Sequence, residues 1–328
     1  MILVTGGAGF IGSNIVAALN AAGRDDVAVC DVLGAGDKWR NLAKASVSDI
    51  VAPEALPEFL DRNAKTIEAI VHMGAISSTT ETNVELIVET NYRLSKRLWR
   101  FSAEQGSRFL YASSAATYGD GAQGFDDDLS LPALKKLKPL NPYGWSKHLF
   151  DRFVAREIAK GAAAPRQWAG LKFFNVYGPN EYHKGKMKSV VAQIYPKASM
   201  GETVTLFRSH NPQYPDGGQM RDFIYVRDCT DVVLWLLDRP NVSGLFNLGA
   251  GKARNFLDLA KSVFAALNRQ PKIAYVDTPP EIREKYQYFT QAKMERLRGA
   301  GYGKAFTSLE DGVFDYVRNY LAAADPYR

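Results

Sequence analysis

Gly6-Gly7-Ala8-Gly9-Phe10-Ile11-Gly12 joins the apolar run Ile2-Leu3-Val4-Thr5 to a helical pattern over 13–22. The string satisfies Gly-x-x-Gly-x-x-Gly through Gly6, Gly9 and Gly12, and Gly-x-Gly-x-x-Gly through Gly7, Gly9 and Gly12. Such a string is a weak signal in isolation. Between a strand and a helix it gains a physical reason: glycines permit a tight turn and let backbone approach a pyrophosphate, while the helix N-terminus offers amide donors and partial positive charge.

Outward from this turn, short apolar runs alternate with helical patterns, as β-α units of a parallel sheet require. Residues 1–5, 27–31, 67–73, 108–114 and 171–176 read as strands, and 84–105 as a long helix. Beyond Gly178-Pro179 the chain becomes rich in Lys, Arg, Tyr, Gly and Pro, with a surface loop expected over 210–218. Residues 223–226 and 245–248 read as strands able to rejoin the parallel sheet, flanking a helix at 228–238, and 255–268, 291–299 and 308–323 read as helices. The expected fold class is α/β: a Rossmann-type doubly wound parallel sheet with a smaller C-terminal α/β substrate lobe. Residues 1–177 with roughly 223–250 form the dinucleotide-binding domain in this reading, and roughly 178–222 with 251–328 the substrate-binding lobe.

Composition excludes several classes. Cys30 and Cys229 are too few for a disulfide framework and read as buried thiols of a reducing compartment. The four histidines show no metal-ligand spacing, so no metal is expected. No leader pattern or membrane-length apolar run occurs, and a cytoplasmic protein is expected with no membrane partner. The net charge of +6 suits an anionic ligand, but basic residues are spread along the chain without a recognition motif, so no nucleic acid partner is expected.

Asp31 closes the second strand, where a carboxylate binds a ribose 2′-hydroxyl and favours NAD. Lys38 and Arg40 follow, and either suits the 2′-phosphate of NADP. Asn141-Pro142 opens a helix carrying Tyr143 and Lys147 one turn apart. An ammonium beside a phenol is expected to favour the phenolate and make Tyr143 a base. Ser113 and Ser114 end the strand at 108–114, where a hydroxyl points into the ligand crevice. Glycine cradle, strand-end serine and Tyr-x-x-x-Lys in that order are jointly specific for dehydrogenase-type chemistry.

On these residues the chain resembles the extended short-chain dehydrogenase/reductase family over its full length. Within that family it resembles the ADP-glyceromanno-heptose 6-epimerases. The closer resemblance is carried by the stretches 1–16, 74–81 and 111–119, by Phe174-Asn175-Val176-Tyr177-Gly178-Pro179 with His183-Lys184-Gly185, and by Tyr286-Gln287-Tyr288-Phe289-Thr290-Gln291-Ala292. The resemblance implies epimerisation at C6 of an ADP-heptose through a 6-ketone, a bound NADP that returns unchanged (NAD being the alternative), a homo-oligomer that is often a pentamer, and a product used in lipopolysaccharide core assembly. It implies Tyr143 and Lys184 as two acid/base groups, Ser114 as the residue orienting the substrate oxygen, and Lys147 at the cofactor ribose. Gly6, Gly9, Phe10, Ile11, Gly12, Asp31, Val32, Lys38, Met73, Gly74, Ala75, Ile76, Ser77, Asn91 and Val176 would line the cofactor. Asn175, Lys186, Gln193, Phe207, Arg208, Ser209, Arg221 and Tyr286, with Ser114, would meet the substrate.

Departures from the family pattern are an insertion at 210–220, Pro53 and Met73 on the cofactor side, and Lys186 and Gln193 on the substrate side. A UDP-hexose 4-epimerase is the nearest rival, and a non-catalytic NAD(P)-binding sensor or scaffold the rival of another class. The Ser114, Tyr143 and Lys147 set argues against the sensor. A 4,6-dehydratase is disfavoured because Ala115-Ala116-Thr117-Tyr118 offers no acid.

Overall fold

The computed structural model describes residues 1–283 and 286–328. In chain order the strands are β1 (Ile2–Thr5), β2 (Val27–Cys30), β3 (Asp49–Val51), β4 (Ala69–His72), β5 (Arg108–Ser114), β6 (Gln167–Phe173), β7 (Asn175–Tyr177), β8 (Val204–Phe207), β9 (Met220–Tyr225), β10 (Gly244–Leu248), β11 (Ala253–Asn255) and β12 (Ile273–Val276). Seven of them form a parallel sheet in the order β3-β2-β1-β4-β5-β6-β10. The order reverses between β1 and β4, and a ligand crevice is expected outside the carboxyl ends of the strands there.

Period-two alternation along β1 explains the layers. Ile2 and Val4 pack under Ile15, Val16, Val232, Val233 and Leu236, which belong to the helices Phe10–Ala21 and Val226–Leu237. Leu3 faces the other way, into a core with Leu98, Trp99, Phe109, Phe150 and Phe153 beneath the helices Leu94–Gln105 and Pro142–Ala159. Both faces are covered, as a parallel sheet demands, so its strands read as continuous apolar runs.

Two smaller sheets lie outside this frame: β11-β9-β7, and the parallel pair β12-β8. They share a third core built from Val191, Val204, Phe223, Leu259, Val263 and Tyr316. The strand read at 223–226 therefore does not rejoin the central sheet; as β9 it pairs with β7 and β11, and only β10 returns beside β6. The run 171–176 is likewise two strands. β6 ends at Phe173, and after Phe174 the chain leaves for the small sheet. The expected helix at 291–299 is confined to Glu295–Gly299, and the stretch 180–222 includes the helix Val190–Met200 as well as β8. Among the described residues no helix is long and apolar enough to cross a membrane.

Gly12 sets how closely the first helix meets the turn, because a Cβ there would overlap the Gly6 carbonyl oxygen. Gly12→Ala is therefore expected to cost about 1–3 kcal/mol of stability, the usual scale for overpacking, and to weaken dinucleotide binding. Thermal unfolding and fluorescence titration check this; a variant with unchanged melting and unchanged binding refutes it.

Candidate active site

A cleft of about 760 Å³ opens at the carboxyl ends of β1, β4, β5 and β6. On one wall lies the glycine cradle with Phe10 and Ile11; Met73, Gly74, Ala75 and Ser77 follow β4. The helix Phe10–Ala21 begins at Gly9 with no side-chain cap and no acid in its first turn. Its N-terminal amides thus lack the anionic partner that such ends favour, which fits a pyrophosphate. Asp31 accepts from the Ala8 amide at 2.9 Å and from Lys38 Nζ at 2.6 Å. The acid and the base whose contest left NAD against NADP open are thus paired with each other.

The helix Pro142–Ala159 starts where the sequence implied. Asn141 Oδ1 accepts from the Gly144 amide at 2.8 Å, and Pro142 occupies the first turn. Gly144 permits close approach to the turn after β5, since a Cβ there would stand 2.7 Å from the Ala116 oxygen. Tyr143, Lys147 and Ser114 all line the cleft. Ser114 also caps the 3₁₀ turn Ala115–Tyr118, accepting from the Ala116 amide at 3.1 Å. Its neighbour Ser113 instead donates to the buried Asp151 at 2.7 Å.

The electrostatics differ from expectation in one respect. Burial pushes the Tyr143 hydroxyl up, opposed by a hydrogen bond with Ser114, and the Lys147 charge is not among the causes. Lys147 itself is pushed down to about 8 by burial, which the Asp151 carboxylate partly opposes. Desolvation dominates at both groups, and the charge–phenol attraction that the spacing suggested is absent.

Lys184 enters the cleft from the turn Tyr182–Met187, with Nζ 5.6 Å from the centroid of the Phe10 ring. Burial lowers its pKa, and the nearby Glu181 opposes that shift. Glu181, itself buried, accepts from the Ser189 hydroxyl at 2.6 Å and the Tyr316 hydroxyl at 3.0 Å, which anchors the turn from below. His183 Nδ1 lies 3.2 Å from Asn41 Nδ2, which also donates to the Ala8 carbonyl at 2.8 Å.

Asn175, Val176, Arg221 and Tyr286 also line the cleft. Arg221 makes no pair with Asp222, whose carboxylate is taken by the amides of Ala250, Gly251 and Ala292. Its guanidinium lies between the Phe256 and Tyr286 rings, 5.7 and 5.3 Å from their centroids. Other expected residues stand outside the walls. Val32 is exposed. Asn91 is fully buried, accepting from the Ile76 amide at 2.8 Å and donating to the Ile76 carbonyl at 3.0 Å and the Ser146 hydroxyl at 3.0 Å, so it and Ile76 support the loop behind the cleft. Gln193 Nε2 donates to the carbonyls of Lys188 at 2.7 Å and of Lys186 at 3.3 Å, bracing the loop that carries Lys184, while the Lys186 side chain is outside. Phe207 packs on Tyr286; Arg208 pairs loosely with Asp277 at 3.6 Å, and Ser209 is held by Asp216 and Asn211. Sequence reasoning missed Glu181 and Ser189 in the cleft wall, and named His183 only within His183-Lys184-Gly185 without a site role. For the first two, their spacing across a glycine-containing turn was the available signal. Among the described residues no cluster of three or more His, Cys, Asp or Glu side chains stands ready for a metal ion.

The sequence profile of the NAD dependent epimerase/dehydratase family matches residues 2–249. The chain belongs to that family. A nicotinamide cofactor follows from that membership. The ADP-L-glycero-D-manno-heptose-6-epimerase of Nitratidesulfovibrio vulgaris strain DP4 is 50% identical over the whole of both chains. The enzyme of the same name from Pseudomonas aeruginosa is 42% identical over 97% of this chain and 98% of its own. Among solved structures, the Helicobacter pylori ADP-L-glycero-D-manno-heptose-6-epimerase is 28% identical with a TM-score of 0.79, covering 98% of this chain and 96% of that one. The Thermus thermophilus UDP-glucose 4-epimerase in complex with NAD is 25% identical with a TM-score of 0.76, covering 98% and 99%.

The ammonium of Lys147, held at about 8, is lost as pH rises. A neutral amine is a poorer partner for a ribose and its phosphates, so dinucleotide affinity is expected to fall as pH rises through about 8. Titrations from pH 7 to 9.5 check this, with Lys147→Met expected to flatten the profile; equal slopes in both proteins count against it.

Proposed function

We propose that the protein inverts C6 of ADP-D-glycero-D-manno-heptose to give ADP-L-glycero-D-manno-heptose. The observation that carries this is Ser114, Tyr143, Lys147 and Lys184 in one cleft beside the glycine cradle. Full-length identity of 42–50% to enzymes of that name supports the substrate, and the lower similarity to a UDP-glucose 4-epimerase does not favour the rival.

A bound nicotinamide supplies the hydride acceptor and donor for C6. The chain's own groups manage the proton. Ser114 orients the C6 oxygen by hydrogen bonding, and Tyr143 or Lys184 takes the hydroxyl proton as the 6-ketone forms. Rotation about C5–C6 presents the opposite face, and the other group returns a proton to the oxygen as the carbon is reduced. One acid/base group cannot easily serve both geometries, which gives Lys184 its role. Arg221 offers a forked donor to the diphosphate of the substrate. The dinucleotide would lie on residues 1–177 and β10, the sugar nucleotide on 178–222 and 251–328, with β7 and β9 as the seam. The family resemblance further supports a cytoplasmic homo-oligomer, a pentamer in many members, acting in lipopolysaccharide core synthesis.

Incubating the protein with ADP-heptose and separating the 6-epimers tests the reaction. Tyr143→Phe is expected to lower kcat about 100-fold or more, on the usual scale of acid/base catalysis. Lys184→Met is expected to slow epimerisation while dinucleotide stays bound. Near-normal turnover in the first, or loss of dinucleotide in the second, rejects the two-base scheme.

We also propose NADP as the resident cofactor. Lys38 neutralises Asp31 at 2.6 Å, removing the repulsion a bare carboxylate would exert on a 2′-phosphate. Lys38→Ala should weaken NADP binding at least tenfold, about 1.4 kcal/mol, and leave NAD binding equal or stronger. Parallel calorimetric titrations decide it, and equal losses for both dinucleotides would contradict the assignment.

A further inference from the structure

Behind the tip of β5 lies an ion pair that the proposed chemistry does not use. Lys172 Nζ stands 3.0 Å from Asp151 Oδ2, and neither side chain has any solvent exposure. Asp151 also accepts from the Ser113 hydroxyl at 2.7 Å and the Tyr111 hydroxyl at 3.1 Å. Lys172 donates to Thr117 Oγ1 at 2.6 Å and lies 4.6 Å from the centroid of the Tyr118 ring. The Thr117 hydroxyl in turn donates to the Ser114 carbonyl at 2.8 Å. Nearly every polar contact of the pair is thus directed at the segment 111–118, with Ser114 inside it.

Stability does not explain such a pair, since buried ions repay their desolvation poorly and apolar replacements often do as well. Geometry explains it better. Lys172 sits opposite Ser113 in the β5–β6 register. Asp151 lies on the same helix as Tyr143 and Lys147, one turn beyond Lys147. The pair therefore ties together the strand end that carries the serine and the helix that carries the phenol and the amine.

We propose that Asp151 and Lys172 are positioning residues for the epimerisation: through Thr117 they fix the Ser114 turn, and through Ser113 they hold the hydroxyl beside it. The Asp151 carboxylate also opposes the burial that lowers the pKa of the Lys147 ammonium. This rests on the acid/base reading of Ser114, Tyr143 and Lys147. The groups facing Asp151 are Lys172 from β6, Tyr111 and Ser113 from β5, Tyr118 from the turn after it, and His148 and Lys147 from its own helix; His72 of β4 also faces Lys147.

Thr117→Val keeps the shape of the side chain but cuts the link from Lys172 to Ser114. It is expected to lower kcat about tenfold or more, in line with the cost of small misplacements, with KM and NADP binding near wild type and with Thr117→Ser restoring the rate. Asp151→Asn is expected to move the alkaline limb of the kcat profile to lower pH, because Lys147 then loses its proton more readily. A purely structural role would instead lower the active fraction evenly at all pH values. Unchanged kcat in folded Thr117→Val, failure of Thr117→Ser to restore a lost rate, or a uniform loss across pH in Asp151→Asn overturns the proposal. If Asp151→Asn does not fold, the Thr117 pair decides. Should Tyr143→Phe prove as active as wild type, the acid/base reading beneath fails instead.

Discussion

The chemistry depends on how closely the helix Pro142–Ala159 can approach the turn after β5. That approach exists because Gly144 has no side chain: a Cβ would press on the Ala116 carbonyl. A helix displaced by a methyl group would carry Tyr143 away from Ser114. The contact is then secured from three directions. Asn141 caps the helix, Ser146 donates to the Tyr143 carbonyl at 2.7 Å, and Asn91 bonds both Ser146 and the loop after β4. A weak local preference is converted into a fixed site by side chains drawn from 84–105 and from the helix with its cap.

Burial acts on Tyr143, Lys147 and Lys184 in one direction, toward neutrality. Tyr143 is raised, Lys147 falls to about 8 and Lys184 is lowered. Each opposing influence is local: Ser114 for the phenol, Asp151 for Lys147, Glu181 for Lys184. A reaction that takes a proton from an alcohol and later returns one to the same oxygen suits groups whose two protonation states are close in energy. Desolvation brings both lysines closer to that condition and moves Tyr143 away from it, with Ser114 alone opposing.

Much of this was legible in the sequence, and the failures share one cause. The cradle, the five early parallel strands that were named and the Tyr143–Lys147 helix are written in contiguous residues, where periodicity and capping act locally. Phe173-Phe174-Asn175-Val176 is an unbroken apolar-rich run, so nothing local marks the break at Phe174 where the chain changes sheet. β8 and β12 pair in parallel across some 70 residues, and only tertiary contact makes either a strand. Glu181 reads as a surface acid until Ser189 and Tyr316 close over it. The tuning of Tyr143 by Lys147 was inferred from spacing, but spacing carries no information about how much water burial removes.

Asn41 shows how the two halves of the cleft are joined. Its amide nitrogen is shared between the Ala8 carbonyl in the glycine cradle and His183, the residue before Lys184. Asn14 and Asn180 add a second tie, the first donating to the Pro179 carbonyl at 2.9 Å and the second to the Ser13 hydroxyl at 3.0 Å. Desolvation and the charges of Lys38 and Lys184 push His183 down, so a neutral imidazole is favoured beside Asn41. The turn bearing Lys184 is therefore tied to the phosphate cradle as well as, through Glu181 and Tyr316, to the core beneath the small sheets. Lys184, the second base of the proposed scheme, is thereby tied to the frame of the glycine cradle.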